Sequence, residues 1–175
     1  MKGLAGCERP IAHVSLVNAG SFRLDRKIVK GEQMWEATLC DLLFHDNDLR
    51  LYAVQSATLR TIIERAVQQR PYGGEFLQVS GLEINVPDRG GATKIESIFL
   101  VDQDGVRSEL GTTQYYNVAT TSYMAMKSKT YSDLFSNCSF KGHVVKSVRD
   151  LVTEEIRANG IRIPTNESRW VFKGI

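Results

Sequence analysis

Histidine, cysteine and carboxylate side chains are the groups best suited to hold a metal or move a proton, and in this chain they are dispersed. His13, His45 and His143 sit in three unrelated contexts, and Cys7, Cys40 and Cys138 show no C-x-x-C spacing. Neither a zinc knuckle nor a disulfide framework is expected, and the thiols read as free or buried. Asp46-Asn47-Asp48 begins like a calcium loop, but Leu51 stands where such a loop needs glycine and Ala57 where it needs glutamate. Asp102-Gln103-Asp104-Gly105 fails in the same way and reads as a hairpin turn. No Walker-type phosphate loop, G-x-G-x-x-G run or G-x-S-x-G elbow occurs. The sequence therefore offers no catalytic residue, no metal ligand and no cofactor site of its own. What remains is binding chemistry. Arg23 follows the glycine-containing turn Asn18-Ala19-Gly20-Ser21-Phe22, and an always-charged planar donor beside such a turn suits an oxyanion, although many turn arginines are simply solvated. Asn18 at the head of the turn either meets a ligand or bonds its own backbone. Phe44 and Tyr123 carry flat faces that either pack in a core or stack on a base, at ~1–3 kcal/mol per face.

These residues fall between elements that hydrophobic patterning makes legible. Ile11 to Val17 reads as a buried strand emptying into the Asn18–Arg23 turn. Gln33 to Leu43 reads as a moderately amphipathic helix ending at Phe44. Leu49 to Val54 reads as a strand, after which Ser56 is expected to cap a helix whose Leu59, Ile62, Ile63, Ala66 and Val67 share one face. Strands are expected in Phe76 to Ser80, Leu82 to Val86, Lys94 to Val101, near Val106 to Leu110, and in Tyr115 to Thr121. Tyr123 to Tyr131 reads as a lysine-containing connection into a short helix at Ser132 to Phe135. Val144, Val145, Val148, Leu151, Val152 and Ile156 are expected to mark a long amphipathic helix that Asn159-Gly160 terminates. With no βαβ alternation, internal repeat or low-complexity linker, the chain reads as one α+β domain over residues 1–175, with a leader at 1–10 and an extended tail at 161–175.

Composition agrees with a globular protein: 175 residues, 42% hydrophobic and 24% charged. The net charge of +2, from 22 basic and 20 acidic residues scattered along the chain, implies no broad basic face for nucleic acid. No apolar run is long enough to span a membrane. Met1 to Pro10 lacks the continuous apolar stretch of a secretory signal, so the sequence assigns no compartment.

Three segments together resemble the C-terminal domain of the 5'-nucleotidase family: Leu16-Val17-Asn18-Ala19-Gly20-Ser21-Phe22-Arg23, then Phe76-Leu77-Gln78-Val79-Ser80-Gly81-Leu82, then Tyr116-Asn117-Val118-Ala119-Thr120-Thr121-Ser122-Tyr123-Met124-Ala125. Asn18 to Arg23 is similar to the family's N-G-G-x-x-R turn, and Leu42-Leu43-Phe44 to its L-P-F element. The helix from Ser56, with Leu59 and Glu64, is similar to its G-x-x-L-x-x-x-L-E helix, and Ser168-Arg169-Trp170 resembles its closing G-R-I. The resemblance implies a four-layer α/β/β/α fold. It also implies that the chain recognises a nucleotide or nucleoside-like ligand, while a separate N-terminal metallophosphoesterase domain with two divalent metals cleaves the phosphate. Hydrolysis by this chain alone is then not expected. By the same resemblance Arg23 meets the phosphate, Asn18 helps hold the nucleotide, and Phe44 and Tyr123 sandwich the base. Lys127-Ser128-Lys129-Thr130 stands where the family has G-G-D-G, so Lys129 replaces the aspartate that binds the ribose hydroxyls, and weakened sugar discrimination is expected. The alternative is a non-catalytic binding or interaction module that has kept the scaffold and lost nucleotide specificity.

Overall fold

The computed structural model describes residues 11–29, 31–69, 73–87, 94–161 and 169–173. Strand β1 (Val14–Asn18) lies between β3 (Leu77–Ser80), to which it is antiparallel, and β7 (Tyr115–Thr121), to which it is parallel. Strand β2 (Asp48–Gln55) pairs antiparallel with β7 on one side and with β8 (Ser139–Ser147) on the other, completing a five-stranded sheet in the order β3-β1-β7-β2-β8. A second sheet has the order β6 (Arg107–Glu109), β5 (Ser97–Val101), β4 (Leu82–Pro87), β9 (Trp170–Lys173), with only the β4–β9 pair parallel. The helices are α1 (Glu36–Leu42), α2 (Ser56–Gln68), α3 (Ser122–Met126), α4 (Ser132–Ser136) and α5 (Val148–Asn159). Mixed sheets with interspersed helices make the α+β class expected from the sequence.

One core serves both sheets. Leu16, Val54 and Val118 of the first sheet, Ile84 of the second, and Leu59, Ile62, Ile63 and Ala66 of α2 are all 0% exposed and belong to a single cluster. Each large aliphatic side chain buried this way contributes roughly 1.5–3 kcal/mol. The sheets are joined by the single residue Gly81, at φ +77°, between β3 and β4. A Cβ there would overlap the His13 carbonyl oxygen, so only glycine permits the strands to approach. A second tie is Trp170 of β9, whose indole N–H donates to the Leu77 carbonyl of β3 at 3.0 Å and whose ring sits 4.9 Å from that of Phe76.

Three local expectations are corrected. Ser56 is the first residue of α2, after the N-cap Gln55, and its hydroxyl donates to the Gln114 carbonyl at 2.8 Å instead of capping the helix. The lysine-containing connection after β7 begins with α3, capped by Thr121, whose Oγ1 accepts the Met124 N–H at 3.2 Å. Val144 and Val145 are in β8, and the helix starts only at Val148, after Ser147 caps it by accepting from Asp150 N–H at 3.1 Å. The apolar spacing that suggests one helix spans a strand and a helix because β8 is an edge strand whose side chains are mostly exposed, and such a strand shows no alternation of apolar and polar residues. Gly160, at φ +71°, ends α5 as expected. The pairing of β8 with β2 carries irregularities between Asp48 and Leu49 and between Leu51 and Tyr52. Cys40 and Cys138 are free thiols; Cys7 and the expected leader at 1–10 lie outside the described residues, as does Ser168. Of the expected tail, residues 170–173 form β9.

Candidate functional site

The turn after β1 is built by hydrogen bonds to a distant loop. Asn18 is buried, and both ends of its amide are engaged: Nδ2 donates to the Gly74 carbonyl at 3.1 Å, and Oδ1 accepts from Ser21 Oγ at 2.7 Å. The Gly20 N–H donates to the same Gly74 carbonyl at 2.7 Å, and the Ala19 N–H to the Phe76 carbonyl at 2.7 Å. A Cβ at Gly20 would stand 3.0 Å from the Gly74 oxygen, so glycine suits this close approach. The amide of Asn18 thus fixes the turn from which Arg23 emerges.

Arg23 is anchored on its other side. Its backbone N–H donates to the Leu42 carbonyl at the end of α1 at 2.9 Å, which brings it beside Phe44. Both residues line an open depression of about 710 Å³, together with Leu24, Asp25, Arg26, Asp41 and His45. Arg26 is paired with Glu32 at 2.6 Å, whereas the exposed Arg23 guanidinium has no ion-pair partner among the described residues. Phe44 is 68% exposed, and its one ring contact among the described residues is an edge-on one with His45, at 5.6 Å between ring centres. A large, solvent-facing phenyl ring beside an unpaired guanidinium offers an apolar face and an anion donor on one rim.

Tyr123, in α3, reaches from a third segment of the chain to the loop that holds the Arg23 turn. Its hydroxyl donates to Glu75 Oε1 at 2.9 Å. That bond, together with burial and the charge of Glu75, raises the phenol above its usual pKa, with the positive charge of Arg23 acting in the opposite direction. Phe44 and Tyr123 make no ring contact with each other among the described residues. Lys129 is exposed on the connector between α3 and α4, next to the fully buried Ser128.

Glu75 carries no sequence signal, yet it is the hub of this region. Its Oε2 accepts from Ser128 Oγ at 2.8 Å, and its backbone carbonyl accepts from the buried Tyr131 hydroxyl at 2.6 Å. Ser128 Oγ in turn accepts the N–H groups of Thr130 and Tyr131 at 3.1 and 3.2 Å. Glycines before it and an aromatic after it are ordinary loop chemistry, and its partners come from the distant segment 123–131, so no local pattern announces it.

Among the described residues no three His, Cys, Asp or Glu side chains converge to hold a metal. No described helix is long and apolar enough to cross a membrane. A smaller depression of about 200 Å³ between α1 and α5 is lined by charges that pair with one another, as Lys146 does with Glu154 and Arg157 with Glu36.

The sequence matches the family model of the 5'-nucleotidase C-terminal domain over residues 7–137. No protein of curated function matches the chain. Among solved structures the chain is similar to a 5'-nucleotidase precursor from Thermus thermophilus (TM-score 0.78, 19% identity, covering 92% of this chain and 31% of that one). It is also similar to the NAD nucleotidase of Haemophilus influenzae (0.73, 18%, 92% and 30%) and to the sulfate thiohydrolase SoxB of Thermus thermophilus (0.69, 16%, 94% and 29%). Likeness at this identity carries the fold, with the expected α/β/β/α arrangement. The chain spans about a third of the length of these structures.

Proposed function

Since the chain belongs to the 5'-nucleotidase C-terminal domain family, we propose that it is the substrate-recognising domain of a 5'-nucleotidase-like phosphohydrolase, closing on the base and sugar of a nucleotide whose phosphate a metallophosphoesterase domain hydrolyses. The observation that supports this most is the convergence of three segments on one region: the Arg23 backbone is bonded to Leu42 beside Phe44, and Tyr123 is bonded to Glu75, whose neighbour Gly74 holds the turn before Arg23. Arg23 would donate to the phosphate in the forked geometry that guanidinium and oxyanion share. Phe44 and Tyr123 would offer aromatic faces to the base, and Asn18 would act by holding the turn. Lys129, exposed next to Ser128, would add a cation to the region.

A second reading is favoured by Lys129 itself, which stands where the family places a carboxylate, and by the likeness to a protein named for sulfate chemistry. On that reading the scaffold binds an anion without reading a nucleotide. A thermal-shift screen of the full chain against nucleosides, nucleotides, sugar phosphates and inorganic anions separates the two. A ligand at a hundred times its Kd adds ~2.7 kcal/mol of stability. Stabilisation by nucleotides beyond that by phosphate or sulfate, weakened in Phe44→Ala, supports the first reading. Equal response to every anion, or none to nucleotides, overturns it.

A further inference from the structure

We propose that Glu75 is the sugar-reading carboxylate of this site, accepting hydrogen bonds from the vicinal hydroxyls of a ribose and so taking a role that Lys129 cannot fill. The inference rests on the nucleotide reading above. An ammonium can only donate, so a hydroxyl pair facing Lys129 finds no acceptor there. Glu75 supplies one from a different loop. Its chain is held beside the Arg23 turn by the bonds that Asn18 and Gly20 make to Gly74, and its carboxylate is aimed by Tyr123 and Ser128, one on each oxygen.

The hydrogen-bond inventory fixes the direction of these contacts. Ser128 Oγ already accepts from Thr130 and Tyr131, which fills its two lone pairs, so its proton must go to Glu75. Tyr123, with a phenol held above its usual pKa, likewise donates. An ionised carboxylate has about four acceptor positions, and the protein occupies one on each oxygen, leaving one on each for a diol. Glu75 is only partly buried and has no ion-pair partner among the described residues. The charge of the carboxylate strengthens acceptance from a ligand hydroxyl as it does from Tyr123 and Ser128.

The full chain is titrated by calorimetry with AMP, 2'-deoxy-AMP and 2',3'-dideoxy-AMP, and with the three corresponding uridine compounds. The wild type is expected to prefer the ribonucleotide over the dideoxy form by roughly tenfold or more. Glu75→Gln is expected to collapse that ratio toward one while leaving affinity for the dideoxy form within about twofold. The substitution is compatible with folding, because the amide oxygen can face Ser128 while its NH₂ donates to a reoriented Tyr123 hydroxyl. A purely structural role would instead weaken all three ligands equally and lower the Tm. Nucleotide binding by the wild type with no preference for the ribo form overturns the proposal and leaves the nucleotide reading standing. Binding of none of the six compounds overturns both, and an undiminished ribose preference in Glu75→Gln overturns the assignment to this residue.

Discussion

The backbone N–H of Arg23 reaches the Leu42 carbonyl at 2.9 Å, and through that bond the turn after β1 and the end of α1 share one rim. Arg23 and Phe44 are neighbours because of the backbone, so their side chains are free to serve a ligand.

Phe44→Ala should therefore separate binding from stability. The ring is 68% exposed and buries little, so the change in unfolding free energy is expected within about 0.5 kcal/mol. Loss of a stacking face should weaken nucleotide binding by ~1–3 kcal/mol. Urea denaturation alongside calorimetry reads both; a large fall in stability would place the ring in the core.

Asn18 should show the reverse balance. Asn18→Ala removes the donor to Gly74 and the acceptor of the Ser21 hydroxyl, which is then left buried without that partner. A cost of about 1–3 kcal/mol is expected. The same urea series measures it, and an unchanged midpoint would mean that the turn holds without the amide.

Gly81→Ala combines a positive φ with a Cβ that overlaps the His13 carbonyl oxygen. The backbone of β1 or β3 must move, and a loss of about 3 kcal/mol or more is expected. Soluble protein with wild-type Tm would show that the strands separate at little cost.

The fork between Arg65 and Asp133, at 2.7 and 2.9 Å, ties α2 to α4, and Arg65 also donates to the Thr130 carbonyl at 2.6 Å. The hydrogen bond from Arg65 leads in holding the Asp133 carboxyl below its usual range. A folded-state pKa below the unfolded one stabilises above the unfolded value, near ~4, and the contribution is lost as pH falls through the folded value. Because Asp133 is well exposed, the effect is expected to stay under about 1 kcal/mol. Asp133→Asn should lower stability at about pH 7 and narrow its gap to wild type below about pH 4; a gap that does not change with pH would refute the linkage.

Much of the scaffold is legible in the sequence because burial imposes a period. The face of α2 from Leu59 to Val67 forms as expected because it is buried on a helical repeat, and the strand Tyr115–Thr121 forms as expected because its aromatic and β-branched residues suit a strand buried between two neighbours. β8 passes for part of a helix because its valines face solvent, and α3 escapes notice because five residues are too few to display a helical period; the Thr121 cap is its available signal. Within the candidate site, the residues of the Asn18–Arg23 turn stand out by their types and order. Glu75 does not, since a carboxylate acquires its partners Tyr123 and Ser128 only when two loops fold together.

The irregular pairing of β8 bears on behaviour at high concentration. An edge strand exposes a row of unused donors and acceptors that a second molecule can extend into a continuous sheet. Two register breaks against β2 interrupt the regular spacing of that row, Gly142 within it takes φ +149°, and Lys141 adds charge that a copy of the same strand would have to confront. The edge is thus a poor template for its own sequence, and the exposed Val144 and Val145 are carried on a strand whose shape discourages fibril-like stacking.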